Sequence, residues 1–210
     1  MMTAGLGLGS LSASRHAAGS SIDLLMGEDV DKTVTETKRI AVLCIGNILM
    51  LDEGVGPRVA QELLAHFTFP ANVDILDCGT MGMSLLSEMK RYDIILVVDA
   101  VDNTGQAPGT VLTFSPEDIA PFQQPRSAHD TLFIDVLQAA KLLGYTPEGF
   151  CLGVQILNMY PEQLIIGLTP AVEAALPLLV YSVLKFLVEH GAEVLVRETG
   201  ELWDGITVEI

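Results

Sequence analysis

The stretch that most constrains this chain is Arg39 to Arg58, RIAVLCIGNILMLDEGVGPR. Its apolar, β-branched opening from Ile40 to Ile45 has the length of a strand buried on both faces, and it breaks at Gly46-Asn47. A loop ending in Asp52 and Glu53 follows, and then Val59, Leu63, Leu64 and Phe67 recur at helical spacing. A strand, a loop and a helix in this order belong to an open α/β sheet, where ligands bind at the carboxyl ends of the strands. This loop presents carboxylates, so it suits a cation better than a phosphate. Plainer readings stand beside that one: Gly46-Asn47 as a turn, and Asp52 as an N-terminal helix cap, a role Asp fills often.

The remaining segments keep the α/β rhythm, and the expected fold is a three-layer α/β/α sandwich around a mostly parallel five-stranded sheet. Val73 to Leu76 reads as the second strand, with Thr80 capping a helix that carries Leu85, Leu86 and Met89 on one side. Ile94 to Val98 is the most continuously apolar strand, hence central, and it ends in Asp99. From there to Thr110–Phe114 the link is too short for a parallel crossover, so that strand is expected antiparallel at an edge. Pro116 to Arg126 reads as loop. Ser127-Ala128-His129-Asp130 has capping-box spacing and opens a helix with Leu132, Phe133, Val136, Leu137, Ala140 and Leu143 as its buried stripe. Cys151 to Leu157 makes the fifth strand, and Thr169-Pro170 starts the last long helix, which Pro177 should kink.

Three regions are expected: a mobile Gly/Ser/Ala/Thr-rich extension over residues 1–37, a single domain over 38–193, and a loosely attached tail over 194–210 with a turn at Asp204-Gly205. A secretory signal would need a basic start and a longer apolar core than Leu6 to Leu11. The net charge of −16 repels phosphate backbones and anionic lipid, so neither nucleic acid nor membrane is an expected partner. Pro170, Glu173 and Pro177 interrupt the apolar residues 164–188, which read as a core helix. Cys44, Cys78 and Cys151 form no C-x-x-C pair, and a reduced, cytoplasmic setting suits them. Cys44 and Cys151 read as core residues, and Cys78, after Asp77 at a strand end, as an outside candidate for a soft metal ligand.

The chemistry gathers where the strands end. Glu53, Asp77 and Asp99 each stand near the carboxyl end of one of the first three strands, and parallel strands would bring them to one edge. His129 falls in the first turn of its helix, where the dipole opposes a protonated imidazole by about 0.3–1 kcal/mol. Two carboxylates and a neutral imidazole from separate loops suit a divalent cation, and gathered acids cost stability unless a cation joins them. The competing readings are a capping or surface role for His129 and, for Asp99, a structural acid bonded to backbone N–H groups. A G-x-S-x-G elbow is lacking, and neither Ser84 nor Ser127 has an evident His-Asp partnership, which argues against a serine hydrolase.

The order of short segments adds a resemblance. G-N-I-L-x-x-D-E-G-V-G-x-R at Gly46–Arg58, L-D-C-G-T at Leu76–Thr80, D-A at Asp99-Ala100, A-P-G-T at Ala107–Thr110, S-x-H at Ser127–His129 and G-L-T-P at Gly167–Pro170 resemble the hydrogenase maturation endopeptidases over about Arg39 to Glu193. The resemblance implies an enzyme that removes a C-terminal peptide from the large subunit of a nickel-iron hydrogenase after nickel insertion. It implies that Glu53, Asp99 and His129 recognise nickel carried by the precursor, with Asp77 a supporting or catalytic acid, and it leaves open whether the metal or a carboxylate drives cleavage. A monomer is expected. Departures from the family pattern are Cys78 in place of Gly, the segment Asn158–Ile166, and the long N-terminal extension. Two other classes compete: a nucleotide-binding module, disfavoured because Gly46-Asn47-Ile48-Leu49 is not G-x-G-x-x-G, and a non-catalytic assembly chaperone.

Overall fold

A computed structural model of the chain describes residues 37–119, 133–157, 161–206, 208 and 210. Residues 1–36, the expected capping box at Ser127 and His129 itself lie outside them. Within Thr37–Ile210 five strands build the main sheet: β1 (Ile40–Ile45), β3 (Val73–Gly79), β4 (Ile94–Val101), β5 (Val111–Phe114) and β6 (Glu148–Gln155). They are ordered β3-β1-β4-β6-β5, all parallel except β5, which runs antiparallel to β6 at the edge. The most apolar strand is indeed central, and the short link after β4 produces the antiparallel edge.

Side-chain alternation along the strands divides the core into two layers. Ile40, Val42, Cys44, Leu96 and Val98 face α1 (Val55–His66) and α5 (Pro170–Glu189), which contribute Val59, Leu63, Leu179 and Leu187 among others. On the opposite face, Ala41, Leu43, Ile95, Val97 and Val101 meet α2 (Leu86–Met89) and α4 (Phe133–Leu142) through Met89, Phe133, Val136 and Ala140. This is the expected three-layer sandwich. α5 is the one described helix long and apolar enough to cross a membrane by length and composition. Its Val172, Leu176, Leu179, Val183 and Leu187 are buried against the sheet, each Leu contributing about 1.5–3 kcal/mol. The helix runs through Pro177, which lies on its exposed side.

Several local expectations are corrected. β3 and β4 continue past Leu76 and Val98, so Asp77 and Asp99 lie within strands, and β6 starts at Glu148 because Glu148 and Gly149 pair with Ile94 and Ile95. Thr80 caps nothing: a 3-10 turn at Gly82–Leu85 leads into α2, and neither has a side-chain cap. Pro116–Ile119 forms a short helix (α3) rather than loop, its Asp118 bonded to Ser115. Leu143 is exposed because α4 ends at Leu142 and Gly144 turns the chain with φ 84°. Residues beyond Gly191 are better seated than the sequence suggested. β7 (Leu195–Val196) pairs with β2 (Phe67–Thr68), and Trp203 sits in the α1/α5 core, edge-on to Tyr181 at 5.7 Å.

Candidate active site

The loop after β1 is shaped by its glycines and by Asn47. A Cβ at Gly46, whose φ is +148°, would stand 2.0 Å from the Glu53 carbonyl oxygen, and one at Gly56 would stand 2.0 Å from that of Ile45. Only glycine permits so close a return of the chain. Asn47 closes the loop: its N–H donates to the Glu53 carbonyl at 3.0 Å, and its side-chain oxygen accepts from the Leu49 N–H at 3.1 Å. Leu51 takes the left-handed conformation with φ 52°, which costs a non-glycine residue about 1–2 kcal/mol. The 3-10 turn Leu51–Gly54 that follows lies against β4 and carries Asp52 and Glu53.

Asp52 is not the cap the sequence suggested. Neither the turn nor α1 has a side-chain cap, and the Asp52 carboxylate is fully buried. It accepts the Thr169 N–H at 2.6 Å and the Thr169 hydroxyl at 2.9 Å. Thr169 precedes α5 as expected, but its hydroxyl is given to Asp52 instead of the helix. Next to this tie, Met50 and Ile165 form a parallel bridge, with Leu51 N–H donating to the Ile165 carbonyl at 2.8 Å and Ile165 N–H to that of Leu49 at 2.9 Å. The segment 161–169 is thus strapped to the loop that carries Glu53. Two motifs that sequence inspection treats separately are one physical unit.

The three acids share the carboxyl edge, yet they do not all face the same way. Asp99, half-buried, alternates with Val97 and Val101 and so faces the α2/α4 side, with its Oδ1 accepting the Ala100 N–H at 2.8 Å. Asp77 is the register partner of Cys44 and faces the α1/α5 side, exposed, its Oδ1 accepting the Gly79 N–H at 3.1 Å. Glu53 is half-buried on the 3-10 turn that lies against β4. Among the described residues no trio of His, Cys, Asp or Glu is gathered closely enough to hold a metal. His129, the expected third member beside Glu53 and Asp99, is outside that set.

Asp77 opens onto a cleft of about 530 Å³ lined by Ile48, Pro57, Arg58, Gln61, Ile166 and Leu168, among others. Arg58 pairs through Nη2 with Glu62 at 2.9 Å and with Glu173 of α5 at 3.7 Å, while its buried Nε–H has no acceptor among the described residues. Cys78, the outside candidate for a soft ligand, sits in the α2/α4 core. It is buried, its thiol donates to the Leu76 carbonyl at 3.5 Å, and burial, helped by Asp77, pushes it up to about 11. Cys151 is likewise raised to about 12 by burial and then by Asp99, and Cys44 is raised further still. All three are neutral core thiols. Sequence reasoning missed the roles of Asp52, Arg58 and Gln155. Gln155, buried, holds the turn after β4 through Thr104 and Asp102, and only its polar character inside an apolar strand signalled it.

Comparison with known proteins bears on this edge. The family model described as hydrogenase maturation protease matches residues 57–186. The hydrogenase 2 maturation protease of Escherichia coli is 39% identical over 163 residues, covering 76% of this chain and 97% of that protein. The hydrogenase expression/formation protein HupD of Rhodobacter capsulatus is 36% identical over 160 residues, 75% of each. Among solved structures, the hydrogenase maturating endopeptidase HybD from E. coli superposes with a TM-score of 0.65 at 38% identity, covering 76% of this chain and 98% of that one. The α/β fold is thus shared with the HybD endopeptidase, and the chain belongs to the hydrogenase maturation protease family.

Proposed function

We propose that this protein is the endopeptidase that removes the C-terminal extension of a nickel-iron hydrogenase large-subunit precursor once nickel is in place. The nickel arrives with the substrate. Glu53, Asp99 and His129 recognise it, since carboxylate oxygen and imidazole nitrogen are suitable donors for a divalent first-row ion. The observation that carries this reading is the placement of the Glu53 turn against β4, the strand that bears Asp99, at the edge where open α/β sheets bind ligands. Tying recognition to the ion makes cleavage conditional on loading, because an empty precursor offers those three groups nothing to hold.

Asp77 stands on the other face of the same edge, exposed in the cleft. There it serves as the carboxylate that takes a proton from the attacking water, while Glu53 and Asp99 act through the substrate's ion. The protein works as a soluble cytoplasmic monomer on its precursor. In the test, purified protein is incubated with nickel-loaded and nickel-free precursor and the products are followed by gel shift. Shortening of the loaded form alone is expected. A nucleotide-binding module or an assembly chaperone would shorten neither, and equal cleavage of both forms would contradict nickel recognition. The isolated protein is expected to bind nickel weakly, and tight stoichiometric binding by calorimetry would contradict a substrate-borne ion.

A further inference from the structure

Five of the exposed large apolar side chains, Ile48, Leu49, Leu164, Ile165 and Ile166, fall on the two segments joined by the Met50–Ile165 bridge. Leu164 and Ile166 are 71% and 77% exposed. Water penalises such a cluster, and clustered apolar exposure marks an interaction surface. The backbone is as telling as the side chains. Ile165 uses both its N–H and its carbonyl on the β1 loop. In an extended chain the flanking residues then present theirs to the opposite side, and those of Leu164 and Ile166 meet no partner among the described residues. The strap therefore offers a short open strand edge with two apolar side chains beside it. Ile48 and Ile166 also line the cleft that holds Asp77, so this edge leads directly into it.

We infer that the outer edge of the strap, Leu164–Ile166, docks an extended apolar stretch of the precursor polypeptide by strand addition and feeds it into the Asp77 cleft. Strand addition recognises main chain through hydrogen bonds and alternate side chains through apolar contacts, and this edge presents both. The inference rests on the peptidase reading and adds a division of labour to it. The ion is read on the Asp99 face of the sheet, and the chain to be cut is held on the Asp77 face. The strap also overlaps Asn158–Ile166, where this sequence departs from the family pattern, so the edge is suited to setting which precursor is accepted.

Residue-resolved amide exchange with and without saturating large-subunit precursor tests this, together with steady-state processing by the double variant Leu164→Asp/Ile166→Asp. The amides of Leu164 and Ile166 should slow at least tenfold on precursor addition, while that of Ile165, already bonded to Leu49, stays as it was. The double variant should raise KM at least tenfold with kcat within twofold, its melting temperature unchanged because both side chains are exposed. Cleavage at wild-type KM by that variant, or uniform exchange across 164–166, overturns the docking edge and leaves the peptidase reading standing. Alternating protection without cleavage supports the edge and overturns the peptidase reading. Protection that grows with the protein's own concentration, in the absence of precursor, assigns the edge to self-association and overturns the proposal.

Discussion

The two ends of the parallel strands are built on different principles. At the amino edge, charges are matched at close range: Arg39 lies 3.3 Å from Asp74, the Tyr92 hydroxyl donates to Asp74 at 2.8 Å, Arg91 lies 2.7 Å from Glu88, and Lys38 lies 3.7 Å from Glu148. At the carboxyl edge the chain takes left-handed turns at Leu51, Gly79 and Asn103, leaves apolar side chains in water, and buries Asp52 on hydrogen bonds from Thr169. One edge is satisfied by the chain itself, and the other holds strain and exposure that folding alone does not require. Such features gather where a protein meets its ligand. Acidic residues are common at both ends, so what separates the two edges is local surroundings rather than residue type.

If that contrast is right, substitutions at the two edges should separate activity from stability. The largest effects belong to Glu53→Gln, Asp99→Asn and His129→Ala, each expected to lower precursor processing by on the order of a hundredfold or more. Melting temperature, read by circular dichroism, should hold within a few degrees, and unfolding of the variants would remove the distinction. Asp52→Ala couples both properties. It leaves the half-buried N–H and hydroxyl of Thr169 without their buried acceptor, so urea unfolding should show a loss of about 1–3 kcal/mol, with slower processing because the strap comes loose. Thr169→Val, which removes only the hydroxyl, should cost about 1–2 kcal/mol.

The thiols supply a pH test. Burial raises Cys78 from 9.0 to about 11 and Cys151 from 9.0 to about 12, so the folded state keeps protons that the unfolded chain releases above pH 9. Their stabilising contribution is complete below about pH 9 and disappears as pH rises through those raised values. Urea midpoints should fall between pH 9 and 11, and a thiol reagent at pH 8 should leave Cys44, Cys78 and Cys151 unmodified unless the protein unfolds. The smallest effect is expected at the amino edge. Arg39→Ala removes an exposed pair and should cost under about 1 kcal/mol with processing unchanged, and a processing defect there would blur the contrast between the edges.

The central place of β4 and the antiparallel edge were legible because they follow from apolar runs and one short link, both local properties of sequence, whereas the order of the other strands was not. Glu53, Asp77 and Asp99 were legible as strand-end acids for the same reason. Their facing was not: whether Asp77 and Asp99 share a face depends on how far β3 and β4 continue, and extending each strand into its acid fixes the side by alternation. The Asp52–Thr169 tie spans 117 residues and leaves no periodic trace, so a short-range helix cap was the natural reading. Trp203 was missed because the strands that lead to it are two residues long, too short to show a pattern.

The most direct test is mass spectrometry of the nickel-loaded precursor after incubation with wild-type protein and with Asp99→Asn. The wild type should release the C-terminal peptide, and the variant, still folded, should leave the precursor at full length. Release of that peptide by Asp99→Asn at the wild-type rate would contradict a nickel-reading peptidase site at this edge.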